Sequence, residues 1–180
     1  LVQIVRSGAL GEIRQVQVTA RFARWPREWQ AGASAWLAGA AEGGFTREVL
    51  SHFVFLAQRL FGPGQVAAAQ LERVAGQAET RLVARLQLGE LATVPLQIDA
   101  AVAGDIADDN RFEVIGSRDR VALSQWSRLE HGGSVHERVD ATPSTLDGFA
   151  QLLGGDAGAG LATVDEALAV ARSIEGLLAG

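Results

Sequence analysis

The chain has 180 residues, 48% hydrophobic and 21% charged, which is enough to build one domain around a sizeable core. A net charge of −5 with no basic run argues against a nucleic-acid partner. The absence of cysteine excludes a disulfide framework or thiolate metal site, and no apolar run approaches the roughly 20 residues that a membrane span needs.

Residues 1–7 read as the last turns of a helix, closed by Gly8. That helix is too short to stand alone. The chain has no methionine, so it is expected to be a fragment or processed product of a longer protein. Leu1 to Arg6 lacks the charge layout of a signal peptide, and a cytoplasmic location is expected. All 16 basic residues are arginine, so a catalytic lysine would have to come from outside this chain.

Residues 12–22 alternate apolar and polar, predicting a strand with one buried face and a slip near Gln15. Residues 24–44 form a long loop carrying Trp25, Trp29 and Trp36. Loops of that length inside compact domains are often functional. The tryptophans could form a sugar-stacking wall or pin the loop to the core.

Residues 46–61 predict a helix that is apolar around most of its girth and therefore buried. Its polar remainder is a strip of Glu48, Ser51, His52 and Arg59. Glu48 and His52 are four apart, hence on one face. A carboxylate beside an imidazole can orient it for proton transfer to or from a hydroxyl. The alternative is an ordinary helical ion pair, disfavoured by the apolar surroundings and by Gly43-Gly44, which would let a ligand approach closely. Gly62-Pro63-Gly64 stops the helix.

From residue 65 the period changes to two. Strands are predicted at 65–74, 79–88, 92–102, 111–115, 120–126 and 135–139, separated by glycine- and Asp/Asn-rich turns. Such a succession implies an antiparallel meander. A short helix over 143–153, a glycine-rich loop over 154–160 and a last helix from Thr163 follow, with Asp165-Glu166 suiting its N-terminal dipole. The fold class is α+β: a large, mainly antiparallel, open-faced sheet with helices on one face. Val66 to Leu71, Val94, Leu96 and Ile98 make strands apolar on more than one side, so the open face is expected to pack on a second copy.

Other features read as structure. Gly154 to Gly160 follows a helix and has no lysine, so it is a surface loop. His131 and His136 flank a hairpin turn and lack a third ligand, so no metal site is expected. Asp108-Asp109-Asn110 is turn chemistry.

Gly43-Gly44, Glu48, Ser51-His52 and Leu60-Phe61-Gly62 together resemble the motif of the Gfo/Idh/MocA oxidoreductases, a glycine run, an Asp, a His four residues on, then an apolar helix ending in Gly. Val5 to Ile13 resembles that family's link into the first strand of its second domain, Asp109 to Ser117 its strand and turn, and Thr163 to Leu178 its C-terminal helix. The resemblance covers nearly the whole chain. It implies that residues 1–180 are the substrate-binding and oligomerising C-terminal domain, with 1–10 ending a linker from an N-terminal Rossmann domain that holds NAD or NADP. It implies hydride transfer at a hydroxyl-bearing carbon of a sugar, cyclitol or related polyol, in a homodimer or homotetramer. His52 and Glu48 would be catalytic, Trp25, Trp29, Trp36 and Arg47 would bind substrate, and Gly43 and Gly44 would lie under the cofactor. The family's usual Asp is Glu48 here, the glycine run has two members, and Leu37 stands where an arginine often follows the tryptophan. The substrate arginine is therefore missing or supplied by Arg24, Arg27 or Arg47. An NAD-using glycosidase on the same scaffold and a non-catalytic dimerising ligand-binding module are the alternatives.

Overall fold

The computed structural model describes residues 1–91, 93–104, 107–137, 142–155 and 160–180. Residues 92, 138–139 and 156–159, assigned from sequence to strand ends and the glycine-rich loop, lie outside the described residues. Helix α1 (Val2–Arg6) ends at Gly8, whose φ of 75° needs no Cβ penalty in glycine. Strand β1 (Ile13–Phe22) follows, with the expected irregularity between Ile13 and Gln15. The tryptophan loop has more structure than its composition suggests. It contains a 3-10 segment (Glu28–Ala33) and a short helix α2 (Ser34–Leu37).

A π-helical turn (Thr46–Leu50) opens into α3 (Ser51–Phe61), which Gly62 terminates at φ 93°. Strands β2 (Gly64–Arg73), β3 (Glu79–Leu88), β4 (Val94–Val102), β5 (Asp109–Gly116), β6 (Arg120–Ser124), β7 (Arg128–His131) and β8 (Ser134–Glu137) come next. Helices α4 (Thr142–Leu153) and α5 (Val164–Leu178) close the chain. Helix α5 starts on a reciprocal capping box. The Thr163 hydroxyl accepts the Glu166 N–H at 3.2 Å, and the Glu166 carboxylate accepts the Thr163 N–H at 2.8 Å.

All eight strands form one sheet in the order β2-β3-β4-β1-β5-β6-β7-β8. The expected meander is thus split. Strand β1 inserts between β4 and β5, parallel to β4 and antiparallel to β5. The sheet remains mainly antiparallel, with helices on one face, as the α+β pattern requires. Val16, Val18, Ala20 and Phe22 of β1, Leu82, Leu86 and Leu88 of β3, Leu96 and Ile98 of β4, and Phe112 and Val114 of β5 meet Phe53, Val54 and Ala57 of α3 and Ile174 and Leu177 of α5 in one core.

The opposite face departs from expectation. Most of its residues are polar, and several are ion-paired: Arg21 with Asp99 at 2.9 Å, Arg111 with Glu130 at 2.9 Å and Glu113 at 3.2 Å. The apolar run of β2 instead belongs to an edge strand of small residues, with a register shift between Val66 and Ala68. Among the described residues no helix is long and apolar enough to cross a membrane.

Candidate functional site

The turn into the π-helical segment is built by close packing. Gly43 and Gly44 are both buried. A Cβ on Gly43 would strike the carbonyl oxygens of Trp36 and Leu37, and one on Gly44, at φ 97°, would strike the carboxylate of Glu79. The Cβ direction of each glycine is therefore occupied from within the chain, and this packing is itself a reason for glycine at both positions. Glu79, only 2% exposed, accepts the Thr46 N–H at 2.6 Å and so satisfies one of the amides that a helix N-terminus leaves unpaired.

Arg47 ties three elements together. Its guanidinium donates twice to Glu175 of α5, at 2.7 and 2.9 Å, and to the carbonyls of Ala40 and Gly43 at 3.0 and 2.9 Å. The hydrogen bond from Arg47 holds the Glu175 carboxyl below its ordinary range, and Glu175 in turn raises Arg47. With four donors engaged, Arg47 fixes the loop over the helix.

Glu48 and His52 leave the same helical stretch but meet different partners. The Glu48 carboxylate accepts from the Gln30 side-chain amide at 3.3 Å. Gln30 is buried and also accepts from the Arg27 backbone N–H at 3.1 Å and its Nε at 3.2 Å. No hydrogen bond or ion pair joins Glu48 to His52 among the described residues. His52 is exposed, and its ring stands edge-on to Trp126, centroids 5.7 Å apart at 88°. Trp126 stacks on Phe53 at 5.2 Å and 16°. On its other side His52 borders a mostly apolar groove of about 380 Å³, lined by Arg47, Ser51, Phe55, Val170 and Ile174.

The three loop tryptophans differ in their surroundings. Trp25 pins the loop: its ring meets Phe22 at 5.4 Å and Phe45 at 6.1 Å, and its indole N–H donates to the Leu37 carbonyl at 3.0 Å. Trp29 and Trp36 remain 73% and 49% exposed, and the Arg27 guanidinium lies 4.8 Å from the Trp29 ring centre. Of the two other arginines suggested as substrate contacts, Arg24 pairs with Glu28, while Arg27 is taken up by Gln30 and the aromatic rings.

The remaining candidates behave as structure. His131 and Ser134 pair across Gly132-Gly133, both at positive φ, in a tight hairpin. No group of three potential metal ligands occurs among the described residues. Asp108 accepts the Ala23 N–H at 2.9 Å.

Three contributors escaped sequence reasoning: Gln30, Glu79 and Trp126. Glu79 left no signal by period, since the alternate positions after it, Arg81, Val83, Arg85 and Gln87, are mostly polar. Gln30 and Trp126 left none, because their partners are distant in sequence.

Strand β1 runs into the tryptophan loop, not into a glycine-rich turn that opens a helix. Among the described residues no strand leads through a glycine-rich turn directly into a helix and a parallel neighbouring strand.

The GFO/IDH/MocA C-terminal domain model matches residues 1–122. No curated protein sequence matches the chain. Solved structures do. An oxidoreductase from Agrobacterium radiobacter, in complex with NAD+, L-tartaric acid and magnesium, superposes with a TM-score of 0.73 at 16% identity over 99% of this chain and 58% of its own. The WlbA dehydrogenase from Bordetella pertussis, in complex with NADH and UDP-GlcNAcA, gives 0.72 at 18% identity over 99% and 56%. A myo-inositol dehydrogenase from Corynebacterium glutamicum gives 0.65 at 18% over 99% and 56%. The chain thus spans a little over half the length of these structures, and at such identities they share its fold. By its matched sequence and its sheet, the chain belongs to the GFO/IDH/MocA C-terminal domain family of oxidoreductases.

Proposed function

We propose that this chain is the substrate-side half of an NAD(P)-dependent oxidoreductase acting on a hydroxyl of a sugar, cyclitol or related polyol. The observation that carries the reading is His52: an exposed imidazole on a helix whose other residues are buried or half-buried, at the end of a turn anchored by Arg47 and Glu79. The ligands named for the solved relatives, a nicotinamide with a sugar nucleotide or a hydroxy acid, are of the matching chemical class.

In this reading a bound nicotinamide supplies the hydride acceptor. His52 takes the proton from the substrate hydroxyl as the carbinol becomes a carbonyl, and returns it in the reverse direction. Glu48, steadied by Gln30, offers its free oxygen to a neighbouring hydroxyl. Trp29 and Trp36 line the approach, Trp25 and Arg47 hold the roof in place, and Gly43-Gly44 shape the turn beneath the cofactor. Residues 1–180 act as one substrate-binding and oligomerising domain, with residues 1–10 leading in from a dinucleotide-binding domain. The ion-paired face of the sheet meets a second copy in a cytoplasmic homodimer or homotetramer.

The test is nicotinamide reduction by the complete oxidoreductase containing this chain, across cyclic and open-chain polyols with NAD+ and NADP+. Turnover with at least one polyol is expected. Absence of reduction with all of them would overturn the reading.

A further inference from the structure

An imidazole that moves a proton is ordinarily steadied by a carboxylate or a carbonyl on one ring nitrogen. His52 has no such partner. Glu48, four residues earlier, is turned to the Gln30 amide, and among the described residues no hydrogen bond or ion pair reaches the His52 ring. The contact it does make is aromatic. Its ring stands at 88° to that of Trp126, with centroids 5.7 Å apart, which is the geometry of an edge-to-face pair.

Trp126 is itself held firmly. It stacks nearly parallel to Phe53 at 5.2 Å, and Phe53 lies nearly parallel to the fully buried Phe112 at 6.4 Å. The indole thus ends a ladder of three rings rooted in the core. Its backbone is fixed as well. Gln125 and Trp126 hold φ of 47° and 68°, a left-handed conformation that bulky side chains seldom adopt. Asn110 of β5 secures both residues: its carbonyl accepts the Gln125 N–H at 3.0 Å, and its side-chain oxygen accepts the Trp126 N–H at 3.3 Å. Backbone of this kind persists where its surroundings over-determine it.

We propose that Trp126 is the positioning residue for His52. This rests on the reading of His52 as the proton-transfer group and extends it to what orients the ring. His52 precedes Phe53 in α3, so the imidazole and the middle ring of the ladder leave adjacent positions of one helix. The indole fixes the plane of an exposed side chain that would otherwise move between rotamers. It does so without occupying either ring nitrogen by a hydrogen bond, which leaves both for the substrate hydroxyl and for the onward path of the proton. Alignment of this kind matters in the transition state, where a small displacement of the acceptor is costly.

The experiment is steady-state kinetics of the complete oxidoreductase, with the polyol that gives the highest turnover in the screen above as the probe. Wild type, Trp126→Leu, Trp126→Phe, His52→Ala and the His52→Ala/Trp126→Leu double variant are compared. Trp126→Leu is expected to lower kcat about tenfold while KM stays within about twofold, the pattern of an interaction realised only in the transition state. Trp126→Phe keeps a ring between Phe53 and His52 and is expected to recover most of the loss. In the His52→Ala background, Trp126→Leu is expected to change kcat by less than about twofold, because its effect passes through the imidazole. A tenfold loss that persists without His52, a loss that Trp126→Phe does not recover, a rise in KM at unchanged kcat, or no loss at all would each overturn the positioning role and leave the oxidoreductase reading intact. Wild-type kcat in His52→Ala, or no polyol-dependent nicotinamide reduction in the wild type, would overturn both.

Discussion

On the covered face of the sheet, Val16, Val18, Leu82, Leu86, Ile98, Phe112 and Val114 are sealed beneath α3 and α5; on the open face, alternate residues of the same strands are mostly polar and include Arg21, Arg81, Asp99, Arg111 and Glu113 in ion pairs. The difference shows how one alternating sequence carries two kinds of organisation. The covered face derives its stability from area removed from water. The open face carries partly exposed ion pairs, each worth little alone but together a patterned surface. Glu113, with a side chain only 11% exposed, is already half-way to an interior position beside Arg111 and Arg120. A second copy docked on this face would therefore be selected by charge complementarity, not by an apolar patch.

The comparison is broken most forcefully from the covered side. Phe112 is fully buried and stacks near Phe53 at 6.4 Å. Phe112→Ala should cost about 3–5 kcal/mol in urea unfolding. A loss below about 1 kcal/mol would mean that the two faces do not differ as described. On the open side, Asp99→Ala removes the carboxylate between Arg21 and Arg81. Its partners are partly solvated, so the isolated domain should lose no more than about 1 kcal/mol. A larger loss, growing with protein concentration, would show that the face is covered by a second copy.

Acid pH sharpens the contrast further. Glu175 is held below its ordinary range by Arg47, and Glu166 by the Thr163 N–H and then Arg59. A carboxylate whose folded pKa is depressed stabilises the fold above its unfolded pKa and loses that contribution as pH falls through the folded value. Stability should be flat near neutrality and should decline below about pH 4, with the anchoring of α5 weakening first. Hydrogen exchange that stays equally slow in α5 at about pH 3 would contradict this.

Local features were legible in the sequence because their causes are local. The slip in β1, the stop at Gly62, the hairpin at Gly132-Gly133 and the start of α5 at Thr163 each depend on residues a few positions apart. The insertion of β1 between β4 and β5 was not legible, since period-two patterning says which face a residue takes and not which strand lies alongside. Strand β7 was missed because Gln125-Trp126 carries no turn signature. At the site, spacing placed Glu48 and His52 on one helix face, but it could not show that Gln30 folds over from the loop to take the carboxylate. Nor could spacing show that Glu79 and two backbone carbonyls pack against the Cβ positions of the glycine pair.

The most direct test is the turnover of His52→Ala in the complete oxidoreductase, read alongside its thermal unfolding. The side chain is exposed and, among the described residues, its one specific interaction is a ring contact with Trp126, so the fold should survive with little change in unfolding temperature while kcat falls by at least about 100-fold. Wild-type kcat in a properly folded His52→Ala protein would contradict the account of His52 as the proton-transfer group.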